Sequence, residues 1–431
     1  MSIATVPSSS NYMPGDTEES SSDKKEDDIN FSCYDGLVTK TNVDTMVETL
    51  KNVTNKEDYF IFFEGNEMYP LVEVLIKMGF TQGLLPTSLY NRLEKDRDLG
   101  KKIVQKFYKD VIVAEKFIFS KVDEGIKKVQ EGNDVFVLKG NGDFGDTIVP
   151  RTDNPEIAKK LLTNMLDRYK ADYEKQGFVL EKKILGGLEV SPTIVFWNGK
   201  PVYSVAEFES KEIGAGNIGV MKGGNLVVSV RTDLNCKLNQ IAFPEVIYKL
   251  AERQPGFAIY DAGLLYKDDK FYFLEYCGMR PGYDSIYAQI AMSQDRKLSL
   301  NDYFTDIMKG KSPIKNKYGV AIRLFNIEGD REKTHDAKSD RVLLWDESVN
   351  DNLFLYRIKK LESDIVVVGG FDFFGVMTAA GDTMEKAVDD VYKRIAMLSF
   401  ERLYYRPKFD FLSTEYPNSI PNRLKAVEKY L

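Results

Sequence analysis

The sequence predicts a multidomain protein of mixed α/β and α+β class, and three observations carry that prediction. At 431 residues the chain is too long for one compact core, so about two to four domains follow. Residues 35–88 alternate helical and strand patterns, and residues 256–284 read as strand, tight turn, strand. Apolar content of 43% with 12% aromatics is that of a globular chain.

The elements follow in order. Residues 1–30 are Ser-rich, acidic and poor in apolar residues. Such a segment cannot bury enough surface to offset its ordering entropy, so a disordered leader is expected. In residues 31–95, TMVETLKNV is helical, YFIFFEG is a buried strand and LVEVLIKMGF is an amphipathic helix. The loop GNEMYP falls at the carboxyl end of that strand, where open parallel sheets bind ligands. Gly65, Asn66 and Glu67 are therefore candidate pocket residues. Next comes NRLEKDRDLGKKIVQKF, a basic helix whose charges are ordinarily a solvated face. Residues 111–195 form a small α+β module, with strands KFIFS and DVFVLKG and one long helix, IAKKLLTNMLDRYKADYEKQG. FVLEKKILGGLEVSPTIVFW then returns to strand. Residues 196–300 add strands, a Gly-rich stretch, the helix FPEVIYKLAERQ and the 256–284 hairpin. After NKYGVA the C-terminal part closes with strand, turn, strand, turn and an amphipathic helix, IVVVGGFDFFGVMTAAGDTMEKAVDDVYKRIAMLSF. The chain has no internal repeat.

Several classes are excluded early. No apolar run reaches membrane-span length, and no signal-peptide pattern opens the chain. Cys33, Cys236 and Cys277 are too widely spaced for a disulfide framework or a zinc site, which fits a reducing, cytoplasmic compartment. A net charge of −7 argues against a general nucleic-acid binder. One histidine, His335, lies in a polar stretch, so histidine triads and multi-histidine metal sites are not expected.

Four segments could carry chemistry. Lys139 ends the strand DVFVLK and precedes GNGDFGDTIV, where Gly140, Gly142 and Gly145 let backbone N–H groups approach an anion. An ordinary hairpin turn is the plain alternative, and the Walker pattern is absent. Glu181 follows an apolar strand and Glu189 starts the next, a hinge that can serve adenine and ribose. An exposed turn is the commoner reading of such a pair. Lys211 leads into KEIGAGNIGVMKGGN, whose glycines imply a mobile loop or a backbone packed on a ligand. In the hairpin, Asp261 and Glu275 are oxygen donors that suit a hard cation, although an edge hairpin with incidental acids is an even alternative.

The order of these parts resembles the ATP-grasp superfamily, and within it the phosphoribosylamine–glycine ligase family. YFIFFEGNEMYPLVEVLIKMGF is similar to that family's strand, GPExPL loop and helix, and NRLEKDRDLGKKIVQKF to its LExSKxxxKxxM helix. VFVLKGNG resembles VVKADG; EKKILGGLEVS resembles EEFLxGxExS with one extra residue; KEIGAGNIGVMKGG resembles KRxxxxDxGPNTGGMG. YDAGLLYKDDKFYFLEYCGMRPGYD is similar to YxGxLYAGLM followed by EFNxRFGDPE, and VVVGGFDFFGVMTAAGDTMEKAVDDVYKRIAMLSFERLYYR to SGGRVLxVTAxGxTLxEAxxxAY. The resemblance covers residues 40 to 405. It departs from the family in four places. The opening GxGGREHA segment is missing, Cys277 replaces the asparagine two positions after the metal-binding glutamate, the following loop to Arg280 carries an extra residue, and VMKGG replaces NTGGMG.

The resemblance implies an ATP-grasp fold with a truncated Rossmann-like N-terminal domain (31–95), an ATP-grasp domain (96–310) with a lid at about 111–183, and a small C-terminal α+β domain (311–431). It implies an ATP-dependent carboxylate–amine ligase using Mg²⁺ or Mn²⁺ and joining a small amino acid, glycine by analogy, to an amine through an acyl phosphate. Arg97, Lys139, Gly140, Gly142, Glu181, Lys182, Ile184 and Glu189 would hold the nucleotide; Glu275, Asp261 and Cys277 the metal. Lys211 and Arg280 would contact phosphate or the acyl carboxylate, with Asn66, Glu67, Gly219, Gly223, Gly224 and Asp284 around the substrates. The acceptor is either a purine precursor or a modified nucleotide or base. The other reading is a degenerate ATP-grasp protein that binds nucleotide without ligating.

Overall fold

The computed structural model describes residues 2–6, 29–30, 38–39, 47–48, 50–63, 69–85, 87–108, 111–140, 147–277, 283–293, 300–327, 342–356, 358–361, 364–367 and 372–431. These fall into two compact units. The smaller comprises Lys95–Leu188 and Leu264–Glu275; the larger comprises Met1–Glu94, Glu189–Gly263 and Tyr276–Leu431. Among the described residues, no helix is long and apolar enough to cross a membrane.

In the smaller unit, three antiparallel strands lie in the order Lys116–Phe119, Phe178–Lys182, Phe136–Gly140. Alternation along a strand sends successive side chains to opposite faces. One face carries Phe136, Leu138, Phe178 and Leu180 into a core shared with Val122 and Val129, and with Leu162 and Leu166. The helices Val122–Gln130 and Pro155–Arg168 supply those partners. A Cβ on Gly125 would stand 2.5 Å from the Phe178 ring, so the helix approaches the sheet this closely because glycine is there. Asn154 caps Pro155–Arg168 by accepting from Glu156 N and Ile157 N, with proline in the first turn. The expected single long helix is instead two, Pro155–Arg168 and Lys170–Gln176, meeting at Tyr169, whose φ of −112° is not helical. The expected KDDK turn has Asp268 and Asp269 both left-handed, at φ 51° and 58°, the pair of positive values a tight two-residue hairpin needs.

The larger unit is built on one mixed sheet. Tyr59–Phe63 pairs in parallel with Gly83–Leu84, which pairs in parallel with Phe257. Beyond these, Leu188–Trp197, Lys200–Gly214, Ile218–Thr232, Tyr318–Asn326 and Asp372–Gly381 run antiparallel in succession. Tyr318–Asn326 and Asp372–Gly381 thus extend the same sheet, while Ile358–Leu361 and Asp364–Val367 pair apart from it. Helix Tyr283–Met292 lies on it, and a Cβ on Gly319 would stand 2.4 Å from Ala288 O. Within the segment expected to be a disordered leader, Ser2–Val6 (SIATV) is a strand paired in parallel with Tyr59–Phe63. Residues 7–28 lie outside the described residues.

The Gly-rich stretch corrects an expectation. It is not a loop: Lys200–Gly214 and Ile218–Thr232 form a long hairpin that turns through Ala215, Gly216 and Asn217. Gly216, Gly219 and Gly223 have φ of 69°, 92° and 72°, and the ladder shifts register at Ser210/Glu212 and Glu212/Gly214. Glycine here permits irregular pairing in a strand, not a flexible linker.

Candidate active site

The face of the small sheet opposite its core carries charge. Val137 pairs with Glu181 and Lys139 with Val179, so Lys139 and Glu181 are diagonal neighbours on one face. Lys139 Nζ donates to Glu181 Oε1 at 3.4 Å. Lys101, from helix Arg97–Phe107, donates to Glu181 Oε2. Asp96 starts that helix by accepting from Leu99 N at 3.0 Å. All three charged side chains are buried, with Lys101 and Glu181 each 3% exposed and Lys139 9%. Burial pushes the Lys101 ammonium below its ordinary value, Glu181 pulls it back up, and Lys139 adds repulsion. Among the described residues, the two lysines share this one carboxylate.

The hinge differs in detail from expectation. Lys182 N and Lys183 N donate to Glu115 O and Val135 O, each at 2.8 Å. The Lys182 side chain is 42% exposed and binds Asp134 at 2.7 Å, which raises its ammonium. It points away from the buried triad. Ile184 follows in the hinge, and Gly140 ends the strand after Lys139.

In the larger unit, Lys211 Nζ donates to Glu189 Oε1 at 2.8 Å and stands 3.8 Å from Glu209 Oε2. Burial would raise the Glu189 carboxyl, but Lys211 beside it and Arg423 beyond hold it below the usual range. Deeper lies an acidic pair. Thr193 Oγ1 donates to Asp261 Oδ2 at 2.7 Å, and the Cys277 thiol also bonds to Asp261. Burial lifts the Asp261 carboxyl to about 7. Gln289 Nε2 donates to Glu207 Oε1 at 2.6 Å, Tyr203 Oη donates to Gln289 Oε1 at 2.7 Å, and Tyr303 Oη lies 2.6 Å from Tyr203 Oη. Burial first, then the Asp261 charge, drives Glu207 well above its ordinary value.

Glu181 and Glu189, expected to serve one adenosine together, fall in different units with different lysine partners. Of the donors expected for a divalent ion, Asp261 and Cys277 fall in the larger unit and Glu275 in the smaller. Asp261 is 4% exposed and bonded to Thr193 and Cys277, and a thiol is a poor partner for a hard ion. Among the described residues no cluster of three or more His, Cys, Asp or Glu could hold a metal. Glu275, in strand Lys270–Cys277, is the remaining oxygen donor of the three. Gly219, Gly223 and Gly224 lie in strand Ile218–Thr232. Arg97 opens its helix and Asp284 lies in Tyr283–Met292. Asn66, Glu67, Gly142, Arg280 and His335 lie outside the described residues.

Sequence reading missed Lys101, Glu207 and Arg423. Lys101 had a usable signal: it falls four residues after Arg97 in the sequence, the repeat of one helical face. Glu207 had a weaker one, an acid inside the apolar run YSVAEF.

No protein-family model matches the chain, and no curated protein matches it in sequence. Solved structures do match it. Phosphoribosylamine–glycine ligase from Thermotoga maritima has a TM-score of 0.61 at 17% identity, covering 83% of this chain and 87% of its own. The biotin carboxylase domain of the Hydrogenobacter thermophilus 2-oxoglutarate carboxylase, solved with MgADP and bicarbonate, has a TM-score of 0.53 at 13% identity, covering 85% and 81%. Biotin carboxylase from Campylobacter jejuni reaches 0.52 at 13% identity, over 84% and 79%. The chain has the ATP-grasp fold that these enzymes share.

Proposed function

We propose that the chain is an ATP-dependent carboxylate–amine ligase that joins a small amino acid to an amine through an acyl phosphate. The observation that supports this most is the buried Lys101–Glu181–Lys139 triad. Burying charge is costly unless it is paired, so two lysines that share one carboxylate among the described residues suit an anion such as a nucleotide phosphate. Phosphoryl transfer needs positioning and charge neutralisation more than acid–base groups.

A substrate carboxylate oxygen attacks the γ-phosphorus. The bond from that phosphorus to the bridging oxygen breaks, and ADP departs with the electron pair. The amine nitrogen then attacks the acyl carbon, forming the C–N bond. The carbon–oxygen bond to phosphate breaks, and the proton lost from nitrogen leaves with phosphate. Lys139 and Lys101 offset charge on the nucleotide phosphates, and Ile184 offers the hinge backbone to the purine edge. Lys211 exchanges Glu189 for the carboxylate that is phosphorylated. Glycine or a similarly small amino acid is the donor, and the acceptor is a purine precursor or a modified nucleotide or base.

The inward-turned Asp261 and soft Cys277 favour a second reading, a nucleotide-binding protein that no longer ligates. ADP release measured with magnesium ATP and a panel of amino acids and amines separates the two. Stimulation by one amino acid is expected; tight ATP binding with no stimulation by any donor or acceptor would select the second reading.

A further inference from the structure

The segment beyond helix Met384–Ile395 has no part in the reading above, yet three of its side chains end on one stretch of a distant strand. Tyr404 Oη donates to Ile213 O at 2.9 Å. Arg406, 1% exposed, donates to Glu212 O and, at 2.6 Å, to Asn217 Oδ1. Arg423, 4% exposed, donates from Nη1 to Glu209 O at 2.8 Å and Glu189 O at 3.5 Å, and from Nη2 to Ser210 Oγ at 3.3 Å. The acceptors lie at 209, 210, 212 and 213, on both sides of Lys211. The ladder between Leu188–Trp197 and Lys200–Gly214 has Ser191 facing Glu207. Carried two residues further, that register would bring Glu189 opposite Glu209. There Arg423 Nη1 donates to both carbonyls while Nη2 reaches Ser210 Oγ, so one planar guanidinium ties the two strands at three points.

We infer that Arg423 is a positioning residue for Lys211: it bridges the two strands so that Glu189 and Glu209 both present their carboxylates to the Lys211 ammonium. Arg406 and Tyr404 fix the strand on the far side of Lys211. The consequence for turnover rests on the ligase reading; the placement of Lys211 does not.

The test uses the full chain carrying Arg423→Ala or Arg423→Lys. Limiting acetic anhydride labels lysines, and mass spectrometry reads Lys211 against the exposed Lys200. Loss of the fork should raise Lys211 labelling about fivefold in Arg423→Ala, with Arg423→Lys between it and the parent. Millimolar guanidinium should restore protection in Arg423→Ala, a rescue that a merely destabilised fold would not show. Should Arg423→Ala fail to melt cooperatively, Arg423→Lys alone decides. Parent-like labelling in a folded variant, or no rescue, overturns the inference. In the nucleotide assay, Arg423→Ala should lower amino-acid-dependent ADP release while leaving the affinity for magnesium ATP within about twofold. If the parent chain neither binds ATP nor releases ADP, the ligase reading fails while the labelling still decides the role of Arg423.

Discussion

The two units solve opposite problems with the same residue types. On the small sheet, two lysines converge on Glu181. On the large sheet, Glu189 and Glu209 flank Lys211, while Glu207 and Asp261 share the interior nearby. Among the described residues, lysines outnumber the carboxylate in the first set and carboxylates outnumber the lysine in the second. A buried excess of either sign must be relieved from outside or by proton exchange. An acid can relieve itself by taking up a proton, as the rise of Asp261 to about 7 indicates. A lysine pair held on one carboxylate has less freedom, because losing a proton also loosens its grip on the partner. The small sheet therefore offers two lysines to an anion, while on the large sheet burial favours the protonated Asp261.

That contrast can be broken experimentally, beginning with the largest effect. Lys211→Ala should cut amino-acid-dependent turnover by about a hundredfold or more while sparing ATP affinity, the pattern of a group acting on the reacting centre. Equal losses in both would move Lys211 into nucleotide binding. Next, Lys101→Met or Lys139→Met removes one of the two lysines on Glu181, and calorimetry should record magnesium ATP binding weakened by about 2–3 kcal/mol. Unchanged binding would separate the triad from phosphate recognition.

A third variant probes the acidic side. A carboxyl whose folded value is raised contributes stability below its unfolded value and loses that contribution as pH climbs to about 7. Asp261→Asn should therefore melt with the parent near pH 4 and a few degrees above it at pH 8. A constant gap across that range would contradict a protonated Asp261. The smallest effect belongs to Lys182→Ala. Its bridge to Asp134 is about half exposed and screened by water, so the melting temperature and ATP affinity should both stay at the parent's.

Local pattern exposed half of this arrangement. Lys139 and Glu181 sit at the ends of short apolar strands, where a charge interrupts an obvious run. The hairpin turn at Asp268 and Asp269 was readable for the same reason. Lys101 was hidden in a helix dense with lysine and arginine, where composition alone favours a wet surface. The glycines at 216, 219 and 223 suggested a loose loop because their left-handed backbones are commonest in turns. Pairing across the hairpin overrode that preference. Arg423 could not be read at all, because its acceptors lie 214 and 234 positions earlier and no local rule joins them.

The same separation sets a clock on synthesis. Translation proceeds at about 5–20 residues per second, so the 214 positions between Glu209 and Arg423 correspond to a wait on the order of ten to forty seconds. Throughout that interval the emerging strands hold carbonyls whose guanidinium partner has not yet been made. Ribosome-bound chains stalled before residue 423 should be nicked near 189 and 209 by proteases that leave the released protein intact.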